Sequence, residues 1–228
     1  MGIKLLGVFC LMVDELGLFA GVAEEIFQNT KPYRELMMKY NYAMLEVKTK
    51  LDVLNSQLGV EHESSPFESI HCRIKTPSSV VEKLKRRGFP ITLNSIEENL
   101  NDVAGIRVIC SFIDDIYSLS ERLCAQDDVK VIEVKDYIKN PKKNGYRSLH
   151  LILEIPIFLL NEKKFMRVEV QFRTIAMDFW ASLEHKVRYK KEICDAEAIS
   201  RELKACAEEI NALDVRMQEI KRKIDYNV

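Results

Sequence analysis

A mixed sheet domain of the α/β or α+β class, set between two long helices, is the fold that this sequence predicts. Three observations carry the prediction. Two segments, one in the first third of the chain and one at its C-terminal end, repeat apolar residues at alternating spacings of three and four, the mark of a narrow helical stripe. Between them, short strand-like runs alternate with helix-like ones, the arrangement of a sheet covered by helices. The apolar share, 47% of 228 residues, suffices for one proper core.

Leu5 to Val13 is apolar, and Asp14 and Glu15 end it. That run is far below the ~20 residues a bilayer span requires, and its only cationic flank is Lys4. An N-terminal helix is expected there rather than a signal peptide. The first stripe then reads Tyr33, Met37, Tyr40, Met44, Val47, Leu51, Leu54, Leu58, with Gly59 as its stop. Ser78 to Arg87 reads as a short helix, with Ser78 as N-cap and Gly88 as C-terminal stop. Gly105 to Phe112 is strand-like, Asp114 to Ala125 helical, and Val129 to Val134 a strand. Ser148 to Ile155 alternates up to Pro156, and Arg167 to Phe172 alternates as well. Ile175 to Lys190 is helical. The last stripe reads Ile199, Leu203, Cys206, Ile210, Leu213, Met217, Ile220, Ile224. Each stripe fits either a partner subunit or packing within one chain. The expected division is a helical extension over 1–65, a central domain over 66–190, and a C-terminal helix over 191–228.

Charged residues make up 30% of the chain, yet the net charge is −1. That balance argues against a general nucleic-acid binder, DNA above all. The six cysteines, Cys10, Cys72, Cys110, Cys124, Cys194 and Cys206, form no C-x-x-C pair and have no His at zinc-finger spacing. They read as reduced thiols packed as small hydrophobes in a cytoplasmic protein, with Cys110 in a strand and Cys206 on a helix stripe.

Four polar clusters fall at the ends of these elements. His71-Cys72-Arg73-Ile74-Lys75 reads as a cationic loop leading to Lys83, Lys85, Arg86 and Arg87 on the short helix. Such a loop and helix can hold a polyphosphate, although a solvated basic face is the favoured account of them when taken alone. Asn101 to Arg107 places Asp102 just before a strand and Arg107 within it, where a buried guanidinium needs a partner. Pro141 to His150 combines a polar Lys-Asn-Gly turn with Tyr146 and Arg147, planes on which a base can stack, and with His150 on the following strand. In Arg167 to Arg173, period two puts Arg167, Glu169, Gln171 and Arg173 on one face and Val168, Val170 and Phe172 on the other. Together the clusters offer two carboxylates for a divalent metal, several cations for phosphate and an aromatic for a base. That set suits phosphoryl or pyrophosphoryl transfer, where positioning and charge stabilisation dominate.

In these motifs the chain resembles the RelA/SpoT synthetase family, its small single-domain members above all. The motifs are R-x-K (Arg73, Lys75), D-x-x-G-x-R (Asp102, Gly105, Arg107), K-x-N-G-Y-R-S-x-H (Lys142 to His150), E-x-Q-x-R-T (Glu169 to Thr174) and F-W-A-x-x-E-H (Phe179 to His185). They run in order from about residue 66 to 190. The resemblance implies a nucleotidyltransferase-like, mixed five-stranded sheet flanked by helices. It implies the synthesis of guanosine tetra- and pentaphosphate by moving pyrophosphate from ATP to the 3′-hydroxyl of GDP or GTP. By position, Arg73 and Arg107 would flank adenine, Lys75 and Lys83 would hold the ATP phosphates, and Asp102 and Glu169 would bind Mg²⁺. Glu169 would also help to deprotonate the acceptor hydroxyl, with Gln171 orienting groups around it. Tyr146 would stack on guanine, and Lys142, Arg147 and His150 would contact the acceptor's phosphates.

Long members of the family add a hydrolase domain with a His-Asp dyad. None of His62, His71, His150 and His185 is followed by Asp, so synthesis without hydrolysis is expected, as is independence from the ribosome. Glu133-Val134-Lys135-Asp136 mixes the two acceptor signatures of long members, so GDP and GTP both stay open as acceptor. The resemblance also implies a homotetramer formed through the terminal helices. Regulation by single-stranded RNA or alarmone finds no support in the first long helix, where Lys48 and Lys50 are offset by Asp52 and Asn55. No membrane partner is expected. The competing readings are another nucleotidyltransferase-like enzyme, which would release pyrophosphate rather than AMP, and a catalytically silent RNA-binding module, which intact Asp102 and Glu169 argue against.

Overall fold

The structure, a computed structural model, describes residues 30–62, 65–189 and 196–226. The run from Leu5 to Val13, with Cys10, lies outside them, as does Cys194. Helix α1 spans Lys31–His62, followed by β1 (Phe67–Ile74), α2 (Pro77–Arg87), α3 (Leu93–Asn99), β2 (Ala104–Cys110) and α4 (Ile113–Cys124). Strands β3 (Lys130–Asp136), β4 (Leu149–Phe158) and β5 (Lys163–Thr174) come next, and α5 (Ile175–Tyr189) and α6 (Ala196–Tyr226) close the chain. The five strands form one sheet in the order β1-β2-β5-β4-β3. Among the described strands only β2 and β5 run parallel, so the sheet is mixed as expected.

Register puts apolar residues in rows across one face. Ala104, Val168 and Leu153 are neighbours, as are Ile106, Val170 and Leu151, and Val108, Phe172 and Leu149. All nine are buried. They merge into one core with Ile116, Leu119 and Leu123 of α4 and with the α1 stripe Tyr33, Leu36, Tyr40, Ala43, Val47 and Leu51. Each large side chain so buried contributes roughly 1.5–3 kcal/mol relative to exposure. The first stripe therefore packs on its own sheet. It does not stop at Gly59, because Val60, Glu61 and His62 continue the helix.

The second stripe is divided, with Ile199, Leu203 and Ile210 half-buried and the remainder outside. The buried positions of α6 are Ala207, Asp214 and Gln218, whereas Leu213, Met217, Ile220 and Ile224 face solvent. Cys206 is exposed too, contrary to the buried thiol expected there, while Cys110 is buried as expected. Polar bonds seat this helix. Asp214 accepts from the Thr174 hydroxyl at 2.6 Å, Gln218 pairs with Asp114, and Trp180 Nε1 donates to Leu203 O at 2.9 Å.

Several element ends differ from the sequence reading. The N-cap of α2 is Thr76, whose hydroxyl accepts from Ser79 N, and Pro77 fills the first helical position, so Ser78 already lies inside the helix. Gly88 ends it at φ 73°, as expected. Strand β4 continues through Pro156 to Phe158. The cationic segment expected as a loop is the end of β1, an edge strand whose mostly exposed residues give no clean alternation. Helix α3, only seven residues long and capped by Thr92, had no periodic signal to reveal it.

Candidate active site

The sheet face opposite the core carries the polar rows. His71, Arg107, Gln171, His150 and Lys135 stand in register across all five strands. One row over, Arg73 pairs with Gly105, and Gly105 with Glu169. Period two thus brings the third and fourth sequence clusters onto one surface, and β1 adds the first. A cavity of about 180 Å³ opens there, lined by Arg73, Gly105, Arg107, Glu169 and Gln171 among others. A larger recess of about 550 Å³ shares Arg73, Arg107 and Gln171 with it and extends past Tyr146 and Arg173 to α5. The two form one cleft with cationic walls.

Asp102 sits where β2 begins. Its Oδ2 accepts from Lys83 at 2.6 Å and pairs with Lys75 at 3.1 Å. Burial pushes the Asp102 carboxyl up, but the Lys83 bond and the Lys75 charge outweigh it and hold the group below the usual carboxylate range. Its Oδ1 is buried and has no hydrogen-bond partner among the described residues. An orphaned carboxylate oxygen of this kind is costly unless something else binds it.

Glu169 receives a donor on each oxygen. His150 Nδ1 lies 3.2 Å from Oε1, and Gln171 Nε2 donates to Oε2 at 2.9 Å. Burial raises this carboxyl, the bonds from His150 and Gln171 lower it further than burial raises it, and the charge of Asp102 pushes back. The two acids therefore sense one another electrostatically. Among the described residues no three His, Cys, Asp or Glu cluster as a complete metal cage. Two carboxylates with a free oxygen fit a magnesium ion whose remaining ligands are water and substrate phosphate.

Arg107 pairs with Asp178 at 3.4 Å, which also accepts from Arg173 at 2.8 Å, while the Arg107 Nε is buried with no hydrogen-bond partner among the described residues. Burial and the neighbouring Arg173 lower the Arg107 pKa, and Asp178 opposes them. Tyr146 lies in an aromatic group with Tyr137 and His150, and Lys142 stands 4.7 Å from its ring centroid. The loop beneath is closed by Gly145 N donating to Lys142 O at 2.8 Å, with Gly145 at φ 88°, a value that favours glycine. This turn sends consecutive side chains apart. Tyr146 lines the cleft, whereas Arg147 faces a crevice against α6 with Trp180 and Ala207. Of the predicted site residues, Arg73, Arg107, Glu169, Gln171 and Tyr146 line the cleft, whereas Arg147 is turned from it. Three contributors were not singled out for the site: Tyr137, Arg173 and Asp178. Arg173 was legible as a member of the polar row, but its link to Asp178 needed the turn from β5 into α5.

Residues 72–193 match the model of the region found in RelA / SpoT proteins, over half of this chain. The chain is 42% identical over 193 residues to GTP pyrophosphokinase YwaC of Bacillus subtilis, covering 85% of itself and 92% of that protein. With GTP pyrophosphokinase YjbM of the same organism it is 36% identical, covering 85% and 90%. Among solved structures it resembles small alarmone synthetase 1 of Bacillus subtilis bound to its product pppGpp, with a TM-score of 0.77 and 35% identity over 86% of this chain and 99% of that one. Small alarmone synthetase 2 of that organism gives 0.76 and 40% over 85% and 100%. Since the matched region holds both carboxylates, the cationic walls and the strands that align them, this chain belongs to the RelA/SpoT family.

Proposed function

We infer that this chain is a small alarmone synthetase, a GTP pyrophosphokinase that transfers pyrophosphate from ATP to the 3′-hydroxyl of GDP or GTP and releases AMP, without a hydrolase activity. The observation that carries this reading is Glu169, held ionised by two donors at the wall of a cation-lined cleft. In the reaction the acceptor oxygen forms a bond to the β-phosphorus of ATP and the bond from that phosphorus to the α-bridging oxygen breaks. Glu169 takes the acceptor proton. Arg73 and Arg107 flank adenine, a role supported by their shared place in the cleft wall. Lys75 and Lys83 offset phosphate charge, and they are already gathered on Asp102. Lys142 and His150 border Tyr146, whose ring offers the stacking plane for guanine. Arg147 serves the acceptor site through the loop it belongs to. When bound, Mg²⁺ at Asp102 and Glu169 would supply positive charge to the phosphates.

The central domain, 66–190, carries this chemistry, and the flanking helices build the scaffold and the assembly. A homotetramer through the terminal helices is supported by the exposed stripe of α6 and by Met38, Tyr42 and Leu45 on the outer side of α1. We place the protein in the cytoplasm. Among the described residues no helix is long and apolar enough to cross a membrane. The test is incubation with Mg-ATP and GDP, GTP or GMP in parallel, with chromatographic separation. AMP together with a 3′-pyrophosphorylated guanosine nucleotide bears the proposal out. Release of pyrophosphate with a nucleotidylated product sinks it.

A further inference from the structure

Five side chains on the cleft face close a ring of hydrogen bonds with one fixed direction. Arg173 is 6% exposed and is anchored by its Nη1 on Asp178. A guanidinium only donates. Its Nη2 reaches the Tyr146 hydroxyl at 2.8 Å and Gln171 Oε1 at 3.2 Å. Gln171 then donates through Nε2 to Glu169 Oε2 at 2.9 Å. On the other arm the Tyr146 hydroxyl, already accepting from Arg173, has its single proton left for His150 Nε2 at 2.9 Å. An imidazole nitrogen that accepts carries no proton, so the proton of neutral His150 must sit on Nδ1, 3.2 Å from Glu169 Oε1. An ionised carboxylate only accepts, and both arms therefore run from one obligate donor to one obligate acceptor.

We propose that the Tyr146 hydroxyl is a positioning group for the reaction: it locks His150 in the Nδ1–H tautomer, and His150 thereby holds Glu169 aimed at the acceptor hydroxyl. The ring of Tyr146 and its hydroxyl then do separate work, one on the base of the acceptor nucleotide and the other on the residue that receives the proton. Without the hydroxyl, His150 can swap tautomers and turn a lone pair toward Glu169. That replaces an attraction by a repulsion and frees the carboxylate to rotate. The proposal rests on the reading that Glu169 takes the acceptor proton.

Tyr146→Phe tests it, because it keeps the ring and removes one oxygen. The chain has four histidines, so the ¹⁵N imidazole signals of His150 are assignable by comparison with His150→Gln. At about pH 8.5, where an ordinary imidazole is neutral, the native protein should show His150 as Nδ1–H and the Phe variant a mixture with Nε2–H. The variant's kcat should fall about tenfold, the loss of one hydrogen bond to a charged group, with KM for the guanosine nucleotide within about twofold of native. An unchanged tautomer in the variant would overturn the proposal, whatever the kinetics. So would an unchanged kcat, or a rise in KM alone. Failure of the native protein to transfer pyrophosphate would refute the reaction but not the lock, which the imidazole spectrum decides without turnover.

Discussion

A Cβ built on Gly145 would stand 2.6 Å from the Cβ of Ala207, so the Lys142–Tyr146 loop and the C-terminal helix touch at a point with no space to spare. Gly145 lies between Lys142 and Tyr146, and its φ of 88° already disfavours any other residue. Gly145→Ala should cost about 1–3 kcal/mol through strain and overlap together. It should also raise KM for the guanosine nucleotide by displacing Tyr146. Thermal denaturation and steady-state kinetics check both. Gly145→Ala with Ala207→Gly should recover part of the loss, because it removes the overlap and leaves the backbone strain.

Replacing Glu169 by Gln keeps the shape but removes the proposed proton acceptor and its charge. Activity should fall about 10²–10⁴-fold, the range for a lost general base, with the circular dichroism spectrum unchanged. Product formation at the native rate would show that another group takes the proton.

Asp102→Asn should raise the magnesium concentration needed for half-maximal rate about tenfold or more, since the proposed charged ligand becomes neutral. Magnesium titration at fixed ATP measures it, and removal of the metal with a chelator should abolish turnover in both proteins.

Asp214 lies buried on Thr174, and burial holds its carboxyl above the ordinary value even though the Thr174 bond opposes the shift. The folded state therefore keeps the proton to a higher pH than the unfolded chain does. Asp214 adds stability below its unfolded pKa of about 3.9, and that stability is lost as pH rises through the raised folded value. Asp214→Asn retains an acceptor for Thr174 without the charge. It should raise Tm at neutral pH by about 2–4 °C, the equivalent of ~1 kcal/mol, and the gain should vanish below about pH 4. A gain that persists in acid would contradict this assignment.

Leu213 and Ile220 are 59% and 42% exposed, so charges there do not disturb the protomer's own core. Leu213→Glu with Ile220→Glu should reduce the molar mass seen by light scattering while the helical signal is retained. A native protein that is already monomeric would remove the case for a tetramer.

The strongest local signals were those with a short period. Arg167 to Arg173 alternates so cleanly that Glu169, Gln171 and Arg173 could be put on one face and Val168, Val170 and Phe172 on the other, and burial follows the alternation up to Phe172, Arg173 being buried on Asp178 and Tyr146. Glycine stops worked where no packing competed, at Gly88, and failed at Gly59, where α1 is held along the sheet through Leu58. Strand β1 escaped notice because an edge strand with little burial need not alternate.

By its own order of residues this chain determined a mixed sheet domain, a family, and which side chains stand on each side of its strands, because strand and helix periods are local properties of the backbone. Tertiary structure alone decided that the α1 stripe turns inward and that the α6 stripe turns outward from Leu213 on, since periodicity fixes the width of a seam and says nothing of its partner. Tertiary structure also decided that His150 stands beside Gln171 and bonds Glu169, that Arg173 shares Asp178 with Arg107, and that Arg147 leaves the cleft. Those contacts depend on strand register and on the turn at Gly145, where residues far apart in the chain meet at a few ångströms.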